Sequence, residues 1–223
     1  MNIVDKIKTV VDNARSISEQ SVTSDLYTAA NQAYRYHVRF FGQPEDAHWK
    51  YEIITAHKAS NGRDPFRHMY IITVREQDPP QQRLASLAHE MYHRVTSRRK
   101  GRNGLHRHLW VDEMLASLTT HKFLCDHGQR EYAQEIRKRC YAQPVRLDIN
   151  TLKRLKRRPD FLGLLRSQYP PKFAGSIAVL GMTIEALVGW ETMCSLVHCG
   201  SWHEWLDTLP DKTRKHVREL IEE

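Results

Sequence analysis

The chain has 223 residues and a mass of 26.2 kDa, enough to bury a sizeable core in one domain or in a domain with an appendage. Hydrophobic residues make up 40% and charged residues 27%, a balance that excludes wholesale disorder. A net charge of +8 and a pI near 9.4 admit nucleic acid, an anionic membrane or an acidic partner, but basic residues spread over solvated helix faces explain the excess more simply.

Ile3, Val4, Ile7, Val10, Val11 and Ala14 recur at helical spacing and predict a first amphipathic helix to about Ile17. Asp5, Lys6 and Lys8 interrupt any apolar run there, so no signal peptide is expected. Ser24 is placed to cap a second helix with Leu26, Tyr27, Ala30, Ala33 and Tyr34 on its buried side. That helix runs towards Phe40-Phe41 and stops at Gly42-Gln43-Pro44. Both helices read as packing elements without chemistry of their own.

Residues 51–56 and 68–74 are short and rich in β-branched and aromatic side chains. They predict two strands, antiparallel neighbours in a small sheet, with a turn over residues 60–65 (Ser-Asn-Gly-Arg-Asp-Pro). Asp78-Pro79-Pro80 then opens a helix that carries Leu84, Leu87, Ala88, Met91, Tyr92 and Val95 on its apolar side. It ends before a basic loop, residues 97–104, containing Gly101 and Gly104. A further helix begins at Leu109 and closes near Gly128.

Beyond Gly128, Tyr132, Ala133, Ile136 and Cys140 mark one helix, and Ile149, Leu152 and Leu155 another. One long apolar helix from about Phe173 to Val197 is expected to form the core of the C-terminal half. A short segment at Trp202 and Trp205 follows, then a last helix capped by Asp211. Glu185 and Glu191 interrupt the apolar stretch, and no window reaches the ~20 apolar residues of a membrane span. The four cysteines lack the spacing of a disulfide framework, so a reducing, cytoplasmic location is expected.

The chemistry concentrates in Leu87-Ala88-His89-Glu90-Met91-Tyr92-His93, an H-E-x-x-H on a helix. Positions four apart lie one turn above each other on one face, so His89 and His93 can aim two nitrogens at one metal ion. Glu90 lies about 100° round the helix, beside a water that such an ion would activate, and suits a general base. Zinc, Zn2+, is the expected cofactor. A third ligand on the next helix completes the proposal: Glu113. Residues 94–112 suffice to finish one helix, turn through the glycine loop and return beside His93. His106 and His108 are rival third ligands, and a three-histidine site would also be hydrolytic.

Leu-Trp-Val-Asp-Glu-Met-Leu-Ala, residues 109–116, resembles the glutamate-ligand helix of zinc aminopeptidases, whose text is similar to L-W-L-N-E-G-L-A. The resemblance spans roughly Tyr70 to Leu118. It implies the gluzincin arrangement, with zinc held by His89, His93 and Glu113. The family's gap between the second histidine and the glutamate is one residue shorter. Arg94 stands where such helices usually carry an uncharged residue. Ser117 stands where thermolysin-like gluzincins carry an aspartate that orients a histidine, leaving the partner of His89 or His93 unassigned. The metzincin pattern fails, with Thr96 at its glycine and Arg99 at its third histidine. The family's oxyanion-stabilising tyrosine or histidine has four candidates, Tyr141, Tyr169, His198 and His203. Its G-x-M-E-N-type motif for the substrate amine is missing, so the resemblance does not extend to aminopeptidase activity.

Other signals weigh less. Cys194, His198 and Cys199 sit in an apolar stretch without a C-x-x-C pair and read as structural. The run 153–158 and the basic residues near Arg98 to Arg102 form solvated faces in preference to a nucleic-acid surface. The expected protein is α+β: a mostly helical zincin-like fold with a small sheet beside the active-site helix. Residues 1–128 would hold the catalytic region, and 129–223 a helical region packing on it. The function expected is a zinc metallopeptidase, a hydrolase acting on a peptide or protein substrate. A regulatory zincin that cleaves one protein partner such as a repressor is a second reading. A basic nucleic-acid-binding protein with a structural or vestigial metal site is a third.

Overall fold

The computed structural model describes residues 25–56, 60–64, 66–96, 109–142 and 171–222. The expected helix over 3–17, the stretch around Leu152, the basic runs at 97–104 and 153–158, and His106, His108 and Tyr169 lie outside the described residues. The described chain is α+β and mostly helical, with one small sheet. Among the described residues, no single helix is long and apolar enough to cross a membrane.

Helix α1 covers 25–41 and buries Ala30, Ala33, Tyr36, His37 and Phe41, extending the apolar side expected of it. It ends at Gly42, whose N–H donates to the Val38 carbonyl (2.7 Å) and whose φ of 73° favours a residue without a Cβ. Three strands follow: β1 (Lys50–Ala56), β2 (Ser60–Asp64) and β3 (Met69–Arg75).

The strand order is β1-β3-β2, and it corrects the expected sheet in two ways. β1 and β3 are neighbours but run parallel, with Ile53 opposite Ile72. The stretch read as a turn is β2, antiparallel to β3 with Gly62 opposite Ile71. Parallel neighbours need a long return path, and here β2 is that return, laid on the far side of β3. Its turn-rich composition yields to the ladder bonds that β3 offers, a tertiary override of propensity. β3 is therefore central, with Tyr70, Ile72 and Val74 all fully buried. The outer edge of β1 is met by α1: the Ile53 N–H donates to the Tyr27 hydroxyl (3.3 Å), and the Tyr27 and Tyr51 rings stack.

Helix α2 (Pro80–Thr96) starts and stops where its local signals predict. It packs under β3 and β2 and alongside α3 (Leu109–Asp126). Leu87, Ala88 and Met91 join Ile53, Ile72, Val74 and Phe123 in one apolar cluster, whereas Tyr92 and Val95 join Trp110, Val111, Met114 and Leu115 in another. α3 is buried nearly all round and packs on α2, on α4 (Arg130–Tyr141) and on α5 (Pro171–Val188). A Cβ added at Gly181 of α5 would lie 2.8 Å from the Met114 Cγ, so this crossing is close because one residue lacks a side chain. Lys122 of α3 pairs with Glu185 of α5 at 2.8 Å.

The single long C-terminal helix does not form. α5 ends at Val188, and α6 (Trp190–Ser195) leaves Gly189 at 118° to it. Gly189 takes φ 83°, which a residue with a Cβ resists. The bend returns Trp190 against Phe40 and Phe41 of α1. A short 3-10 turn (Leu196–His198), α7 (Trp202–Asp207) and α8 (Asp211–Glu222) follow, with Trp202 and Trp205 buried.

Two buried polar contacts fasten α2. Arg94, the residue that departs from the gluzincin pattern, is wholly buried. Its guanidinium donates to Asp46 Oδ1 (2.8 Å), the Asp46 carbonyl (2.8 Å) and the Trp49 carbonyl (3.2 Å), and lies 4.0 Å from the Tyr70 ring centre. The Tyr70 hydroxyl donates to the other Asp46 oxygen at 2.7 Å. The charge at position 94 thus ties the end of α2 to β3 and to the α1–β1 connection. Second, His37 of α1 is fully buried and donates from Nε2 to the Ala88 carbonyl at 2.8 Å.

Removing one partner of a buried, hydrogen-bonded ion pair leaves the other charge uncompensated. Asp46→Ala is expected to cost about 3–5 kcal/mol in urea unfolding. Burial holds the His37 imidazole down at about 3, against an ordinary 6.5 that the unfolded chain regains. Between those values the unfolded state binds a proton that the folded state refuses. The proton costs the folded state nothing above pH 6.5, and stability falls as pH drops towards 3, by up to about 1.4 kcal/mol per pH unit. Unfolding midpoints compared at neutral and mildly acid pH should fall less steeply in His37→Phe than in wild type.

Candidate metal centre

The rows Leu87-Met91-Val95 and Ala88-Tyr92 of α2 face the core. His89 and His93 form the next row, at the border of the buried face, with side chains 26% and 17% exposed. α3 runs beside them and presents Asp112 and Glu113, 15% and 29% exposed. All four groups are thus enclosed yet reachable from solvent.

The side chains converge. His89 Nε2 and His93 Nε2 are 3.2 Å apart. Glu113 straddles both rings, with Oε2 at 3.2 Å from His89 Nε2 and Oε1 at 3.4 Å from His93 Nε2. One ligand atom from each of the three lies within 4.8 Å of the others, so His89, His93 and Glu113 could hold a metal ion. Among the described residues this is the one His/Cys/Asp/Glu group so arranged, and neither Glu90 nor Asp112 belongs to it. A tetrahedral ion with Zn–N distances of about 2.0–2.1 Å keeps two nitrogens roughly 3.3 Å apart, a separation the two imidazoles already have.

The sequence leaves Asp112 unassigned as a partner of either histidine. It accepts a hydrogen bond from His93 Nδ1–H at 3.2 Å through Oδ2, and from the Tyr92 hydroxyl at 3.4 Å through Oδ1. The carboxylate fixes the tautomer, leaving the Nε2 lone pair of neutral His93 to face His89 and Glu113. Adjacent residues of α3 therefore hold the two nitrogens of one ring, Asp112 at Nδ1 and Glu113 at Nε2. The 100° between them on α3 brings them to opposite edges of the same imidazole. The available signal was the consecutive acidic pair, two carboxylates opposite one histidine.

Electrostatics favour positive charge at this point. Burial alone would lower the His93 pKa, but the charges of Glu113 and Asp112 and their hydrogen bonds raise it well above the ordinary histidine value. Burial alone would raise the Glu113 carboxyl, and His93 and His89 hold it well below the usual carboxylate range.

Glu90 follows His89 on α2, at the partly buried margin of the helix. Of the oxyanion candidates, Tyr141 ends α4 with Arg137 over its ring, and His198 and His203 are exposed on the C-terminal elements. None of the three belongs to the His89–His93–Glu113 group. Cys125, Cys140, Cys194 and Cys199 are all unpaired, and burial raises each thiol pKa, that of Cys194 to about 12.

Compared with known proteins, the chain matches no family model, no curated protein and no solved structure. The gluzincin resemblance accordingly stands on the local text around His89, His93 and Glu113.

Carboxylates that orient metal-binding imidazoles typically account for 10–100-fold in metal affinity. Asp112→Asn should preserve the fold and weaken the binding of an added metal ion by about that factor in a chelator competition.

Proposed function

We propose that this chain is a zinc-dependent metallopeptidase of gluzincin type with a zincin-like fold, cleaving a peptide or protein substrate. The observation that carries the reading is the convergence of His89 Nε2, His93 Nε2 and the Glu113 carboxylate on one point. Two histidines and a glutamate are a donor set of catalytic zinc sites, which keep a further coordination position open. The four unpaired cysteines suit a reducing compartment such as the cytoplasm.

His89, His93 and Glu113 hold the ion in this reading. When bound, zinc polarises the scissile carbonyl and lowers the pKa of a water. The remaining work belongs to side chains. Asp112 holds His93 in the tautomer that offers Nε2 and stabilises its orientation. The ionised Glu113 supplies negative charge that offsets part of the charge of a divalent cation. Glu90 takes the proton from the attacking water onto a carboxylate oxygen and passes it to the leaving amine nitrogen.

The test uses the whole chain loaded with zinc. Glu90→Gln should retain zinc by elemental analysis and lose peptide hydrolysis by about 10²–10⁴-fold, the range of a general base. His93→Ala should lose the metal. Full peptidase activity in the Glu90 variant would refute the base, and equal zinc in the His93 variant would refute the ligand set.

A further inference from the structure

Helix α1 carries no metal-ligating motif, yet it presses one imidazole against the helix that carries two. His37 is fully buried, with ring contacts to Tyr36, Phe41, Tyr92 and Phe123. The carbonyl that accepts its Nε2–H belongs to Ala88, the residue before His89. In an α-helix that carbonyl also accepts the N–H four residues on, at Tyr92, the residue before His93. One acceptor thus joins α1 to the turn that spaces the two candidate ligands.

A second contact leads the same way. The His37 ring meets the Tyr92 ring edge-on, centres 5.9 Å apart, and the Tyr92 hydroxyl reaches the Asp112 carboxylate that holds His93. The remaining nitrogen of His37, Nδ1, is buried without a hydrogen-bond partner among the described residues. An apolar ring of the same shape would escape that desolvation cost, and Ala88 would keep its ladder bond. Packing alone therefore gives no physical reason for an imidazole here.

We infer that His37 is a positioning residue of the metal centre, its Nε2–H fixing the Ala88–Tyr92 turn so that His89 and His93 keep their nitrogens converged. The inference rests on the metal-centre reading above. Ligand atoms must stand within about 0.2 Å of their places for a site to bind well, and a shift of this turn moves both histidines. Its hydrogen bond goes to the Ala88 carbonyl and its ring contacts go to Tyr36, Phe41, Tyr92 and Phe123, so its effect passes through backbone position and Tyr92.

The experiment measures zinc affinity of the full chain by competition with a chromogenic chelator, with thermal midpoints of the metal-free proteins at neutral pH. His37→Phe keeps an aromatic ring and removes the donor; His37→Gln returns an N–H donor near the Nε2 position. His37→Leu replaces the phenylalanine variant should that chain not fold. The donor-less variant should bind zinc about tenfold more weakly than wild type with a midpoint at or above it, and His37→Gln should recover most of the loss. Wild-type zinc affinity in the donor-less variant, or equal weakening in it and in His37→Gln, overturns the inference. A wild-type chain that fails to bind zinc overturns instead the metal-centre reading on which it rests.

Discussion

Two imidazole nitrogens 3.2 Å apart beside a carboxylate form an arrangement that a cation relieves. With His93 giving its Nδ1–H to Asp112, a neutral His93 has only a lone pair to offer at Nε2. A proton or a metal between the rings turns mutual repulsion of donors into shared attraction. The upward displacement of His93 and the downward displacement of Glu113 express the same preference. Holding these atoms together requires both helices to be fixed, and most of the surrounding structure serves that requirement.

α3, like α1 and α2, contributes to both apolar clusters. Its first turns present Asp112 and Glu113 to α2 and Met114 to the close approach over Gly181 of α5, and its end carries Asp126, which accepts from Tyr36 of α1 at 2.7 Å. α2 is held in turn by the buried Arg94–Asp46 pair beyond His93 and by His37 before His89. The candidate ligands therefore stand on helices braced on several sides, which is where geometry is kept most closely.

Much of this was legible locally. Pro80 at the first position of α2, the apolar rows from Leu87 to Val95, and the return to Glu113 all follow from short-range chemistry, and the structure keeps them. What depends on distant partners was not legible. Ser60–Asp64 carries turn residues and becomes a strand because β3 has a side to fill. Arg94 looks out of place on an apolar helix until Asp46, 48 positions earlier in the chain, accepts its charge. The break at Gly189 is a one-residue conformational freedom inside a stretch whose periodicity reads as one helix. Asp112 stands 100° from Glu113 as a helical wheel predicts, but a wheel does not show that one ring on α2 spans the distance between them.

The Tyr27 hydroxyl on the Ile53 N–H has a consequence for how this sheet meets other chains. An edge strand normally exposes a ladder of unanswered donors and acceptors that invites a foreign strand to pair with it. Along β1 one donor is already answered from within, by a side chain of α1 whose ring is stacked on Tyr51. A strand approaching that side must break an internal bond and pull the stacked rings away from each other before it gains its first rung. The helix thus acts as a selvedge, finishing that side of the sheet against unravelling into its neighbours.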